Sequence, residues 1–90
     1  MKFNNAICCI IKDENYLEEF IIYHHIIGVE YFFIYDNESK IPIKKRLSHE
    51  FFKKNCSILE IKGKSQQMNA YNHCIKNTKN NVNWLITIDG

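Results

Sequence analysis

The sequence predicts an α/β fold, a three-layer αβα sandwich around a mostly parallel four-stranded sheet. Four short apolar runs, at residues 6–11, 31–35, 57–61 and 84–88, alternate with segments whose apolar residues recur at helical spacing. The first two runs are almost continuously apolar, as expected of strands covered on both faces. Each run is followed at once by polar residues: Lys12-Asp13, Asp36-Asn37, Lys62-Gly63-Lys64 and Asp89. Right-handed crossovers between parallel strands bring all of those positions to one rim of the sheet, where open α/β sheets bind ligands.

Taken in order, Ala6 to Ile11 forms the first strand, and Lys12-Asp13-Glu14-Asn15 breaks it with acids suited to a helix's first turn. Leu17, Phe20, Ile21, His24 and Ile27 then repeat at helical spacing, and Gly28 follows as a C-cap. Tyr31 to Tyr35 is the second strand, ended by Asp36-Asn37-Glu38-Ser39. Pro42 suits a helix start, and Ile43, Leu47, Phe51 and Phe52 give one helix an apolar stripe. Ser57 to Ile61 is the third strand. A helix from about Ser65 carries Met68, Tyr71, Asn72 and Ile75 and ends before the polar stretch Asn77 to Asn83. Trp84 to Ile88 is the fourth strand, and as an edge its apolar side chains and unpaired backbone would favour self-association.

Ninety residues make one small domain, with a 46% hydrophobic and 24% charged composition typical of globular chains. A net charge of +2 with one short basic run, Lys44-Lys45-Arg46, is not the concentrated basic face of a nucleic-acid-binding domain. No apolar run approaches the ~20 residues of a membrane span, and the first residues lack a signal peptide's pattern, so a cytoplasmic location is expected. The four cysteines show no Cys-x-x-Cys spacing and are expected to be reduced and buried, Cys8 and Cys9 on opposite faces of one strand.

Several chemistries fail on spacing. Gly63-Lys64-Ser65 resembles the tail of a phosphate-binding loop, but Ile58 stands where the motif needs its first glycine. The receiver fold of phosphorelay proteins needs an aspartate after the third strand, where this chain has Lys62. His24 and His25 point about 100° apart on a helix and have no third ligand at a suitable spacing; His24 is expected in the core. No serine or cysteine has an activating histidine nearby. Asp36 and Asp89 remain. Each ends a strand at the rim and suits either a nucleoside diphosphate site with a divalent cation or a plain turn and capping role.

An ordered series of motifs adds to this. Cys9-Ile10-Ile11-Lys12-Asp13-Glu14, Leu17-Glu18-Glu19-Phe20, Tyr23-His24 with Gly28-Val29, Tyr35-Asp36-Asn37-Glu38-Ser39, Gln67 to Cys74 and Trp84 to Asp89 run through nearly the whole chain. Together they resemble the N-terminal half of glycosyltransferases of the family 2 type, and especially of the related family 92. Those enzymes show Lys-Asn-Glu, Leu-x-Glu-Trp, Tyr-His, Gly-Val, Tyr-Asp-Asn-x-Ser, Gln-x-x-Ala-Tyr-Asn and Ile-Asp-x-Asp in the same order. The resemblance implies the nucleotide-binding half of a GT-A domain over residues 1–90. It implies that Asp36 contacts the base of a nucleotide-sugar donor, such as a uridine diphosphate sugar, with Asn37 beside it and Lys12 and Glu14 in the same pocket. It places Gln67 and Asn72 near the ribose or diphosphate, and Asp89 on a Mn²⁺ or Mg²⁺ ion that neutralises the departing diphosphate. Glu19 and His24 match family positions but are expected to be structural.

Three departures stand out. Asp13 replaces the family's asparagine, Lys40-Ile41 replaces Asp-Gly after the serine, and Gly90 stands one residue short of the second aspartate of Asp-x-Asp. The resemblance therefore implies a truncated domain that binds donor and is inactive in transfer by itself. The competing expectation is a non-catalytic nucleotide-binding module.

Overall fold

The structure is a computed structural model that describes residues 2–89, and of Asp89 the backbone alone. It contains β1 (Phe3–Ile11), α1 (Leu17–Ile26), β2 (Tyr31–Asp36), α2 (Ile43–Arg46), α3 (Glu50–Asn55), β3 (Cys56–Glu60), α4 (Gln67–Thr78) and β4 (Val82–Asp89). The strands form one sheet in the order β3-β2-β1-β4, with every neighbouring pair parallel. The chain is thus a small α/β, Rossmann-like domain, as the alternation of apolar runs and helical periods requires.

β1 is the centre of the fold. Successive side chains of a strand face opposite ways, so its near-continuous apolar run feeds two separate cores. Ile7, Cys9 and Ile11 join Phe32 and Ile34 of β2 under Leu17, Ile21, Ile43, Leu47 and Phe52, so α1, α2 and α3 cover one face. Cys8 and Ile10 join Tyr35 under Ala70 and Cys74 of α4 on the other. The layers are the three expected.

α1 places Glu18 and Glu19 in its first turn and His24 and His25 in its last, the arrangement its dipole favours. It ends in a Schellman motif. Val29 N–H donates to the His24 carbonyl at 2.9 Å and Gly28 N–H to that of His25 at 3.1 Å, with Gly28 at φ +117°. His24 is half-buried, short of the core position expected of it; its Nδ1–H donates to the Phe20 carbonyl at 2.7 Å.

The single helix predicted from Pro42 is two. α2 stops at Arg46, and α3 restarts at Glu50 after His49, whose Nδ1 accepts from Phe51 N–H at 3.1 Å. A continuous helix would align Ile43, Leu47 and Phe51 and turn Phe52 about 100° away. The break instead buries Ile43, Leu47 and Phe52 together and leaves Phe51 half-buried.

Among the described residues, no helix is long and apolar enough to cross a membrane. All four cysteines are free and buried. Burial pushes the Cys9 and Cys56 thiols up to about 12, and the hydrogen bond between Cys8 and Cys74 raises Cys8 far above the ordinary thiol range. Cys8, Cys9 and Cys56 therefore stay protonated at neutral pH, whereas the hydrogen bond with Cys8 holds Cys74, itself buried, below the ordinary thiol value.

Candidate functional site

The carboxyl ends of the strands meet at one rim, and hydrogen bonds join the loops after β1, β2 and β3 to one another. Asp13 N–H donates to Ser39 Oγ at 3.0 Å, and Lys40 N–H returns a bond to Asp13 Oδ1 at 2.7 Å. Asn37 Nδ2 donates to the carbonyls of Ile61 and Gly63 at 3.0 and 2.9 Å, while Gly63 N–H donates to Glu38 Oε2 at 3.2 Å. Backbone strain concentrates in the same place. Among the described residues, Asp13 (φ 52°), Glu38 (φ 60°) and Ser65 (φ 56°) are those other than glycine with positive φ, one in each loop. Sparsely populated backbone conformations persist where the surroundings over-determine them, and they cluster at ligand sites.

Two clefts open on this rim and share Ile11. The first, about 130 Å³, is polar and is lined by Ile10, Ile11, Lys12, Asn37, Ser65, Gln66 and Gln67. α4 begins here. Its cap residue, Gln66, makes no capping bond with its side chain, and its first turn holds no acid. The free N–H groups of a helix start and the Lys12 ammonium both favour an anion in this cleft.

The second cleft, about 260 Å³, is mostly apolar and lies between β1, β4 and the start of α1. Cys9, Ile11, Glu14, Tyr16, Leu17, Phe20 and Ile88 line it. It sits where the sheet order reverses, since β2 and β4 flank β1 on opposite sides and α1 and α4 cover opposite faces. A further rim cleft holds Asp36, Glu38 and Glu60 against Lys62 and is unsuited to an anion.

The residues singled out from sequence divide accordingly. Lys12, Asn37 and Gln67 come together in the polar cleft. Glu14 lines the apolar cleft, where its Oε1 also accepts from Tyr16 N–H at 3.2 Å. Asn72 is exposed on α4 and outside that polar lining.

Asp36 requires a correction. It is not free at the rim but only 3% exposed. Its Oδ1 accepts from Ser39 N–H and its Oδ2 from Ile43 N–H, each at 3.0 Å, so both oxygens fix the loop that leads into α2. The turn role, one of the two open to a strand-end aspartate, is the one its geometry serves.

Asp89 closes β4 opposite Ile10, and its side chain lies outside the described residues. Among the described residues no group of three or more histidine, cysteine, aspartate or glutamate side chains is placed to hold a metal ion.

Sequence reasoning missed three contributors. Ser65 and Gln66 enter the polar cleft because Ser65 adopts positive φ and turns the chain into α4, which no residue pattern announced. Arg46, read from sequence only as part of a short basic run, donates from Nη1 to the Glu14 carbonyl and from Nη2 to Glu18 Oε1, both at 2.6 Å. It therefore holds the β1–α1 loop in position.

Comparison with protein-family models, with curated proteins and with solved structures returns no match for this chain.

Proposed function

We propose that this chain is a glycosyltransferase-like domain that binds a nucleotide-sugar donor, the diphosphate in the polar cleft and the nucleoside toward the apolar one. The observation that carries the reading is the convergence of Lys12, Asn37, Ser65, Gln66 and Gln67 at the start of α4, beside a cleft walled by Tyr16 and Phe20. Lys12 and the α4 backbone amides supply charge and donors for phosphate oxygens. The aromatic walls supply a surface on which a base can pack, and the Glu14 carboxylate is an acceptor for ribose hydroxyls or base N–H groups. The ordered motif series supports the same reading, with Asp36 shaping the loop in place of touching the base. A divalent cation enters it only through Asp89 and the diphosphate itself.

The site is open and shallow, so affinity in the micromolar-to-millimolar range is expected. Isothermal titration with uridine diphosphate, with and without Mn²⁺, tests it. Lys12→Ala should weaken binding roughly tenfold, the scale of one charge-assisted hydrogen bond. Lys44→Ala, on the exposed side of α2, should not. Absence of binding, or binding indifferent to Lys12, would refute the assignment. A product assay with labelled donor separates a transferase from a binding module.

A further inference from the structure

Four free thiols lie in the two cores, and the topology lets one pair of them meet. Cys9 and Cys56 share the face under α1 and α3, but they stand on β1 and β3, with β2 between them. Neighbouring strands lie ~4.8 Å apart, which separates those two backbones by ~9–10 Å, beyond the ~7 Å a disulfide spans. Cys8 and Cys9 are adjacent in an extended strand and point opposite ways. The sheet therefore divides Cys8 and Cys74 on one face from Cys9 and Cys56 on the other. Cys8 faces α4 from the middle of β1, and Cys74 faces β1 from α4, one turn after the wholly buried Ala70. With only a methyl group at Ala70, the helix sits close to the strand. The two thiols are hydrogen-bonded to each other.

The pair also has a route to solvent. The Tyr35 hydroxyl is hydrogen-bonded to Cys74 and lies 2.7 Å from Nδ1 of His73, an exposed residue of α4. Cys8, Cys74, Tyr35 and His73 thus form a polar line from the core to the surface, along which a thiol proton can leave. None of the four lines the polar or the apolar rim cleft. We propose that Cys8 and Cys74 form a peroxide-sensitive dithiol, oxidised by hydrogen peroxide to a reversible disulfide that ties α4 to β1.

Cys74 reacts first, because hydrogen bonds from Cys8 and Tyr35 both stabilise its thiolate. Its sulfur attacks one peroxide oxygen, the O–O bond breaks, and the hydroxide released takes up a proton and leaves as water. The Cys74 sulfenic acid then has Cys8 as its neighbour. The Cys8 sulfur attacks the Cys74 sulfur, its proton joins the departing hydroxyl, and a second water leaves. Two thiols and one peroxide give one disulfide and two waters, each sulfur giving up one electron to the oxygens. Peroxide is small, and α4 is the helix that covers this face, so local opening of α4 admits it. Dithiols reverse the bridge by exchange. Residues 8 and 74 are far apart in the chain, so the bridge restricts the unfolded state and the oxidised protein should melt at a higher temperature.

The experiment treats the folded, unaltered chain with hydrogen peroxide, alkylates the remaining thiols in urea and maps the products by mass spectrometry. One intrachain disulfide should form, with Cys9 and Cys56 recovered as alkylated thiols, and dithiothreitol should restore all four. Fragmentation between Cys8 and Cys9 assigns the bridge without any substitution, and Cys74→Ala should abolish it. Peroxide added to the urea-unfolded chain should give mixed pairings, since the fold sets the choice. Four free thiols in the folded chain, at a peroxide concentration that bridges the unfolded one, would overturn the proposal. So would a bridge through Cys9 or Cys56, or Cys74 carried to a sulfinic acid with Cys8 left free.

Discussion

Replacing Asp36 with alanine should destabilise the fold. The substitution removes the acceptor for two backbone N–H groups, those of Ser39 and Ile43, and the second bond is buried. A buried donor left unpaired costs ~1–3 kcal/mol, and losing the part-buried bond from Ser39 to the carboxylate costs ~1.5–3 kcal/mol, so the two give ~2–6 kcal/mol. Relief from desolvating a carboxylate that is 3% exposed offsets part of that, leaving a net loss of about 2–4 kcal/mol. A 90-residue domain has only ~5–13 kcal/mol in total, and each kcal/mol moves the melting point by ~4–8 °C at this size. Thermal unfolding followed by circular dichroism should therefore show a fall in Tm of at least ~8 °C. Asp36→Asn keeps one acceptor and turns an N–H against the other amide, so it should fall between the alanine variant and the native chain. A loss below ~1 kcal/mol for Asp36→Ala, measured by urea unfolding with an unchanged slope, would refute the anchoring role.

Arg46→Ala should cost about 1–2 kcal/mol through loss of its bonds to the Glu14 carbonyl and Glu18, whereas Glu18→Gln, which spares the first bond, should cost less than ~1 kcal/mol. Urea unfolding of the pair checks the order. Stability should decline in alkali. Cys9 and Cys56 hold their protons to about pH 12 in the fold against an ordinary thiol value of 9.0, so the unfolded chain loses protons first. Their contribution is complete below pH 9 and falls by at most ~1.4 kcal/mol per pH unit per thiol as pH rises toward 12, a loss that Cys9→Ala should reduce in slope. Gly63→Ala should be destabilising by ~1–2 kcal/mol, because φ is +100° and a Cβ would stand 3.2 Å from Gln66 Nε2; Gly28→Ala, with open space around it, isolates the backbone cost alone.

The strands were legible because their side chains obey one local rule, burial on both faces of a central β1 and β2, and both cores follow from simple alternation along Ala6–Ile11 and Tyr31–Tyr35. Element ends were less so. β4 begins at Val82, two residues earlier than its apolar run, because pairing with Phe3 and Asn5 of β1 draws polar Asn83 into the ladder. The break between α2 and α3 was hidden because His49 is not a usual capping residue and because helical spacing cannot decide between Phe51 and Phe52 without the core they face. At the site, residue type located the rim but not depth. Asp36 and Asn37 are neighbours of similar size, yet one lies beneath the loop and the other on it, a difference set by which backbone amides the loop folds back over each.

The strand order β3-β2-β1-β4 also bears on how the chain folds. β1, β2 and β3 follow one another and can pair as they emerge, but the partner on the other side of β1 is the last strand, and the Asn83–Asn4 contact spans 79 residues. Closing so long a loop precedes any reward from the contacts it makes, and non-local parallel pairing is slow for that reason. During synthesis β1 must therefore wait with one edge bare while α4 is made.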